Sequence, residues 1–191
     1  MYLHRYTEKR AKKHVARPWR LRTKTTEEGM RVEIEKRLEA LGLALPEPVQ
    51  APPDLRLPFV TVRLWEGRAH IAGHVALNAD GSIAEVKGKV GAEVSAERAY
   101  ASARLTALAI LGSLKRELGD LDRVAAWLRV FGMVNVAPGF TQTPAVINGC
   151  SDLILELYGA DAGRHARSAI GVAALPFNMP VEIEAEVAIR E

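Results

Sequence analysis

The stretch Arg167-Ser-Ala-Ile-Gly-Val-Ala-Ala-Leu-Pro-Phe-Asn-Met-Pro-Val-Glu182-Ile-Glu-Ala-Glu186 reads as two β-strands joined by a turn. Ser168, Ile170, Val172 and Ala174 share one face of the first strand, and Arg167 starts it on the other. Pro176 and Pro180 bracket the turn, because proline removes a ladder donor and is confined to strand ends. Val181, Ile183, Ala185, Val187 and Ile189 then alternate with Glu182, Glu184 and Glu186, the period of a strand with one buried face. Hairpin pairing of the two strands would bring Arg167 and Glu182 close. A guanidinium is a planar, permanently charged fork that fits a carboxylate, and a neighbouring glutamate can handle a proton or a water. The same residues also have a bland reading, a surface arginine and the wet face of an edge strand. Spacing alone does not choose between the two.

Upstream of this stretch, Thr143-Pro144 is a cap followed by proline at the first helical position, opening a helix that runs to Tyr158 and stops at Gly159. Its apolar stripe, Val146, Cys150, Ile154 and Leu157, makes Cys150 a buried structural cysteine. A longer helix is expected from the N-cap Ser95 to Leu118, stopped by Gly119, with a small-residue stripe through Ala99 and Ala103 suited to close packing. Between the helices Val124–Val136 is a long apolar strand. Asp120 and Asp122 precede it as turn-forming residues. Earlier still, Phe59–Leu64 and Arg68–Gly73 form a strand pair turned at Glu66-Gly67. A third strand is expected around Ile83–Lys87, after the turn Asn78–Gly81, with Gly88 and Gly91 breaking the pattern. The order β-β-β-α-β-α-β-β gives an α+β domain, a mixed sheet with two helices packed on one face.

Composition bounds the rest. A chain of 191 residues holds one domain, or one domain with an appendage, and 48% hydrophobic content supplies a sizeable core. No stretch approaches the roughly 18 apolar residues of a membrane span. The N-terminal residues lack the apolar core of a secretory signal. The single Cys150 excludes an intramolecular disulfide and fits a reducing compartment, so a cytoplasmic protein is expected. The net charge of +3 hides an asymmetry: residues 1–29 carry nine Lys/Arg against three Asp/Glu, a balance of +6, and the remainder balances at −3. Three segments follow: a basic extension 1–29 without sustained periodicity, a short amphipathic helix and Pro-rich linker over 30–54, and the main domain over 55–191. Tyr2, Tyr6 and Trp19 in the extension could stack on nucleic acid, or Met30 could be the natural start. His70 and His74, four apart, would share a strand face, and His165 sits two before Arg167. No carboxylate or cysteine falls at ligand spacing around them, so no metal is expected, and His74 and His165 are read as pocket-lining.

The pattern Ala166-Arg167-Ser168, Val172-Ala173-Ala174-Leu175-Pro176 and Val181-Glu182-Ile183-Glu184-Ala185 resembles the C-terminal signature of the YjgF/RidA family, and the resemblance covers Leu55 to the C-terminus. It implies a chorismate-mutase-like fold, a homotrimer with sites between subunits, and hydrolysis of reactive 2-imino acids or enamines to 2-keto acids and ammonia. It also implies that no cofactor is needed. By the same resemblance Arg167 binds the substrate carboxylate and Glu182 positions the water. Gly73 is the close-approach glycine, and Phe59 stands where many members have a tyrosine lining the pocket. Asn148 matches a recurrent asparagine, and Ala169 lends its backbone where several deaminases have cysteine. His74 replaces a usual glutamine. The segment between Asn148 and Arg167 is about two residues longer than in compact members, and with Asp120-Leu-Asp-Arg-Val and Gly163-Arg-His-Ala-Arg-Ser it marks a longer branch.

Three readings of function follow, in this order. The first is imine/enamine deamination, with a small carboxylate-bearing imine, enamine or keto acid as ligand. The second is a non-catalytic small-ligand-binding trimer that uses the same cleft. The third is RNA binding or cleavage, for which only the basic extension speaks. The body is mildly acidic and shows no basic face.

Overall fold

The computed structural model describes residues 33–50 and 58–190. The basic extension 1–29, with its possible nucleic-acid role, and residues 51–57 of the Pro-rich stretch lie outside the described residues. The first described element is helix α1, Glu33–Ala40, which buries Ile34 and Leu38, one turn apart, in the common core. Its first two amides donate to the Asp122 carboxylate at 2.7 and 3.3 Å, so a side chain far along the chain satisfies the orphan donors of the helix start. Gly42, at φ +65°, ends it.

Strands β1 (Val62–Trp65) and β2 (Arg68–His74) form the expected hairpin. Glu66 and Gly67 both take positive φ, as a two-residue turn matched to strand twist requires. The expected third strand does not form. Ile83 makes only a single bridge to Leu77, and Ala84 turns inward onto Ala76 and Met179 in a satellite cluster. Ile83-Ala-Glu-Val-Lys87 alternates as a strand should, but no neighbouring backbone continues the ladder.

Helix α2 (Ala96–Leu118) starts where its cap predicts, with the Ser95 hydroxyl accepting from the Arg98 amide, and it ends on left-handed Gly119. Strand β3 (Val124–Asn135) follows a 3-10 turn capped by Asp120, whose carboxylate accepts from the Asp122 amide. Helix α3 (Thr143–Gly163) opens at the expected place, but Thr143 does not cap it. Its hydroxyl donates instead to the Ala169 carbonyl, tying α3 to the neighbouring strand. Gly159 breaks the helix as predicted (φ 70°, ψ −176°), and a further short turn carries helical structure on to Gly163.

The sheet order is β1-β2-β5-β3-β4, where β4 is Ala166–Val172 and β5 is Val181–Ile189. This corrects the expected pairing of the last two strands. β3 lies between them, parallel to β4 and antiparallel to β5, so β4 and β5 are not a hairpin. Helices α2 and α3 cover one face, where Val130, Val134, Ile183 and Val187 are fully buried, while Glu182, Glu184 and Glu186 line the other.

The two helices approach closely because Gly149 of α3 sits against the α2 backbone. A methyl group there would lie 2.1 Å from the Tyr100 carbonyl oxygen. Gly149→Ala should therefore destabilise the fold by about 1–3 kcal/mol, overpacking outweighing the roughly 1 kcal/mol gain in helix propensity. Thermal unfolding reads this directly, and a raised midpoint would contradict the packing.

Candidate functional site

The expected site residues fall into two groups. The first lines a cleft of about 390 Å³ at the C-terminal end of β2. Phe59, Gly73, His74 and Glu182 all border it, together with Phe177, Ser113 and Arg116. A β-bulge produces this arrangement. Between Ile71 and His74 the register against β5 slips by one residue. Four residues of spacing therefore do not leave His70 and His74 on one face. His70 pairs with Glu186 and is exposed, whereas His74 pairs with Ile183 and is buried.

Gly73 lies in that bulge, directly against the Glu182 carboxylate. A Cβ on Gly73 would come within 1.9 Å of Oε1, so any side chain there would push the Glu182 carboxylate out of this position. Glu182 is half-buried, and burial, reinforced by the charge of Glu184, raises its pKa above the ordinary carboxylate range. At the cleft mouth the turn Pro176–Asn178 holds Phe177 and Asn178 at positive φ (55° and 56°), strained for residues with side chains.

His74 lines the cleft with both ring nitrogens already committed. Nδ1 lies 2.7 Å from the Ala72 carbonyl oxygen, which can only accept, so Nδ1 carries the proton. Nε2 therefore accepts from the Ser113 hydroxyl at 2.9 Å, and the Ser113 oxygen accepts from Arg116 at 3.1 Å.

The second group lies on and under β4, at the opposite edge of the sheet from β1. Arg167 pairs with Val130, which pairs with Ala185, and its side chain reaches down to α3. Its Nη1 donates to Asn148 Oδ1 and to Ser151 Oγ, both at 2.9 Å, and its Nη2 donates to the Pro144 carbonyl at 3.3 Å. Ala169 stands two residues on, its carbonyl held by Thr143. His165, expected to line a pocket, is bonded to Ser151 and to the Gly163 carbonyl instead.

One chain does not bring the two groups together. Arg167 projects on the helix side and Glu182, opposite Met133, on the open side. They are separated by two strand spacings, about 10 Å, and by three residues of register, about another 10 Å. Sequence reading missed Ser113, Arg116 and Ser151. Each sits in a helix as an ordinary polar residue, and only the fold shows its partner.

Cys150 is fully buried, and burial pushes its thiol up to about 12, so it is not a nucleophile at neutral pH. Glu35, Asp120 and Asp122 gather within 4.8 Å of one another. Glu35 Oε1 accepts from Lys115 and the Leu121 amide, Asp120 Oδ1 accepts from the Asp122 amide, and both Asp122 oxygens accept from the start of α1, while Glu35 Oε2 is buried without a hydrogen-bond partner among the described residues.

Burial, and then the adjacent Arg116 and Arg167 respectively, hold His74 and His165 below 6.5, against an opposing pull from the carbonyl each one donates to. In the unfolded chain both rings protonate through 6.5, whereas the folded chain resists protonation until lower pH. Their contribution to stability is full above pH 6.5 and is lost as pH falls through the lowered folded values. The unfolding midpoint should therefore drop below pH 6.5, and a His74→Gln/His165→Gln double variant should lose less over the same interval. Equal slopes in thermal melts against pH would contradict neutral, buried rings.

The profile of the family described as "YjgF/chorismate_mutase-like, putative endoribonuclease" matches residues 35–184. Protein TCP17 of Trypanosoma cruzi is 36% identical over 157 residues, 82% of this chain and 94% of that protein. The crystal structure of Atu1372, a protein of unknown function from Agrobacterium tumefaciens, is similar with a TM-score of 0.73 at 36% identity, covering 85% of this chain and 95% of that one. The YjgF gene product of E. coli is 17% identical with a TM-score of 0.52, covering 77% of this chain and 98% of that one, and shares the fold alone. With the profile running from α1 into β5 over this sheet and helix arrangement, the chain belongs to the YjgF/RidA family and has its chorismate-mutase-like fold.

Proposed function

We propose that this protein hydrolyses reactive 2-imino acids or their enamine tautomers to 2-keto acids and ammonia, at sites shared between subunits of a homotrimer. The observation that carries this reading is the split site. The half-buried Glu182 over Gly73 and the pre-positioned Arg167 are complementary halves that a single chain holds apart. Exposed apolar side chains border both halves: Phe59 and Phe177 at the cleft, and Ile170 on β4 in register with Met133 and Glu182. Exposed groups of this size are suited to a partner's surface.

In the assembled site Arg167 would take the substrate carboxylate. Its three bonds within the chain leave the Nε–H and one Nη2–H uncommitted, two donors for two carboxylate oxygens. The imine carbon is already electrophilic, so the protein's task is orientation. A water adds to that carbon as Glu182 accepts its proton, and the C=N double bond becomes a single bond. Glu182 returns that proton to nitrogen to give a carbinolamine, then takes the carbinolamine hydroxyl proton and passes it to the same nitrogen, so that the C–N bond breaks and NH3 leaves as the C=O bond forms. A carboxylate whose pKa is raised by burial is better matched to taking up and returning a proton than an exposed one.

A ribonuclease reading needs a general acid and base. Among the described residues His74 and His165 have both ring nitrogens engaged in the fold, and only His70 remains exposed. Ligand binding without turnover is favoured by a different observation: Phe59 brings no hydroxyl and His74 no free proton to the cleft. Ammonia release from freshly generated 2-iminopropanoate separates the readings. Deamination predicts turnover by the wild type and a loss of about a hundredfold or more in Arg167→Ala and Glu182→Gln. Background rates for all three would leave the binding reading.

A further inference from the structure

We propose that Ser151 and His165 are positioning residues for Arg167, a relay that fixes the plane of its guanidinium so that its two uncommitted donors face a carboxylate. The inference rests on the reading of Arg167 as the carboxylate-binding group.

Every hydrogen in the relay has a determined place. The Gly163 carbonyl oxygen lies 2.8 Å from His165 Nδ1 and can only accept, so Nδ1 is protonated and Nε2 presents a lone pair. The Ser151 hydroxyl, 2.9 Å away, donates to that lone pair. Its oxygen is then oriented to accept from Arg167 Nη1, also at 2.9 Å. The second Nη1 hydrogen goes to Asn148, on the same helix one turn earlier. With Ser151 and Asn148 both on Nη1 the plane is fixed by two 2.9 Å bonds, whereas without Ser151 it would rest on Asn148 and the longer 3.3 Å bond from Nη2 to the Pro144 carbonyl. Ser151 is buried, so no competing water is needed to satisfy it.

The other half of the site contains the same sequence of roles. His74 donates from Nδ1 to the carbonyl two residues before it, as His165 does, and it accepts at Nε2 from a serine whose oxygen accepts from an arginine. There the relay anchors the bulge that carries Gly73. In both places a neutral histidine orients a serine hydroxyl beside a fixed group of the candidate site. This recurrence separates the relay from incidental polar packing.

The test compares Ser151→Ala, His165→Ala, His165→Gln and Arg167→Ala in the full chain, each first checked for a wild-type circular dichroism spectrum. The probe ligand is 2-oxobutanoate, with its Kd measured by calorimetry. Restricted rotation of the Arg167 guanidinium, read by 15N NMR, is the measurement that needs no ligand. Positioning predicts about tenfold weaker binding and faster guanidinium rotation in Ser151→Ala and His165→Ala. In His165→Gln an amide oxygen can still accept from Ser151, and both readouts should return to within about threefold of wild type. In turnover the loss should fall on KM, with kcat within about threefold, whereas a merely structural defect would lower active protein and leave KM unchanged. If Arg167→Ala abolishes binding while Ser151→Ala and His165→Ala keep wild-type Kd and rotation, the relay is overturned. If Arg167→Ala binds like wild type, the carboxylate reading fails. The positioning proposal then falls with it, even if faster rotation in Ser151→Ala shows that the serine restrains the guanidinium.

Discussion

The insertion of β3 between β4 and β5 is the constraint on which the rest of the molecule depends. Because β3 runs parallel to one and antiparallel to the other, the final two strands cannot close into a hairpin, and the chain between them must cross the end of the sheet. That crossing passes through Pro176–Asn178 and places Phe177 at the mouth of the cleft. In this register Arg167 lies in line with the buried Val130 and Ala185 on the helix side, and Glu182 lies opposite Met133 on the open side. Arg167 and Glu182 are thus held on opposite faces of one sheet, and the deamination proposed for them would need a second copy of the chain to bring them together.

Around this frame, polar side chains are spent in the fold to hold a few others ready. His74 and His165 are buried and half-buried respectively, neutral and doubly bonded, which suits them to fixing geometry rather than exchanging protons. Glu182 remains as the group with a raised pKa at the cleft, and Gly73 leaves it room by having no side chain. Leaving buried donors unmatched costs about 1–3 kcal/mol each. The serine–histidine relays avoid that cost while restricting motion in both halves of the site.

Local chemistry made much of this legible in the sequence. Ser95 and Gly119 bound α2, Glu66-Gly67 turns the first hairpin, and the β5 alternation identifies its buried face, because each depends only on residues a few positions apart. Strand partnership was not legible in the same way. β5 and β4 are neighbours in sequence, whereas the partner they share begins about forty residues before β4. The bulge at Ala72-Gly73 was only faintly marked, by an alternation that runs from Arg68 to Ile71 and breaks at Ala72-Gly73, and the register slip itself appears only against β5. Ile83–Lys87 shows the converse, a strand-like pattern with no edge to join. For the site, the resemblance of the C-terminal signature brought Arg167, Glu182, Gly73 and Asn148 forward. Ser151, Ser113 and Arg116 came into view only once α2 and α3 were packed on the sheet.

The most direct test of the account is subunit complementation. Arg167→Ala and Glu182→Gln chains would be mixed in equal amounts, dissociated and reassembled, and assayed for ammonia release from 2-iminopropanoate. If each site takes its arginine from one subunit and its glutamate from another, random reassembly makes about a quarter of the sites intact, and activity should return to about a quarter of the wild-type rate. A mixture no more active than either variant alone, at full reassembly and with an active wild type, would mean that the two residues do not meet across subunits.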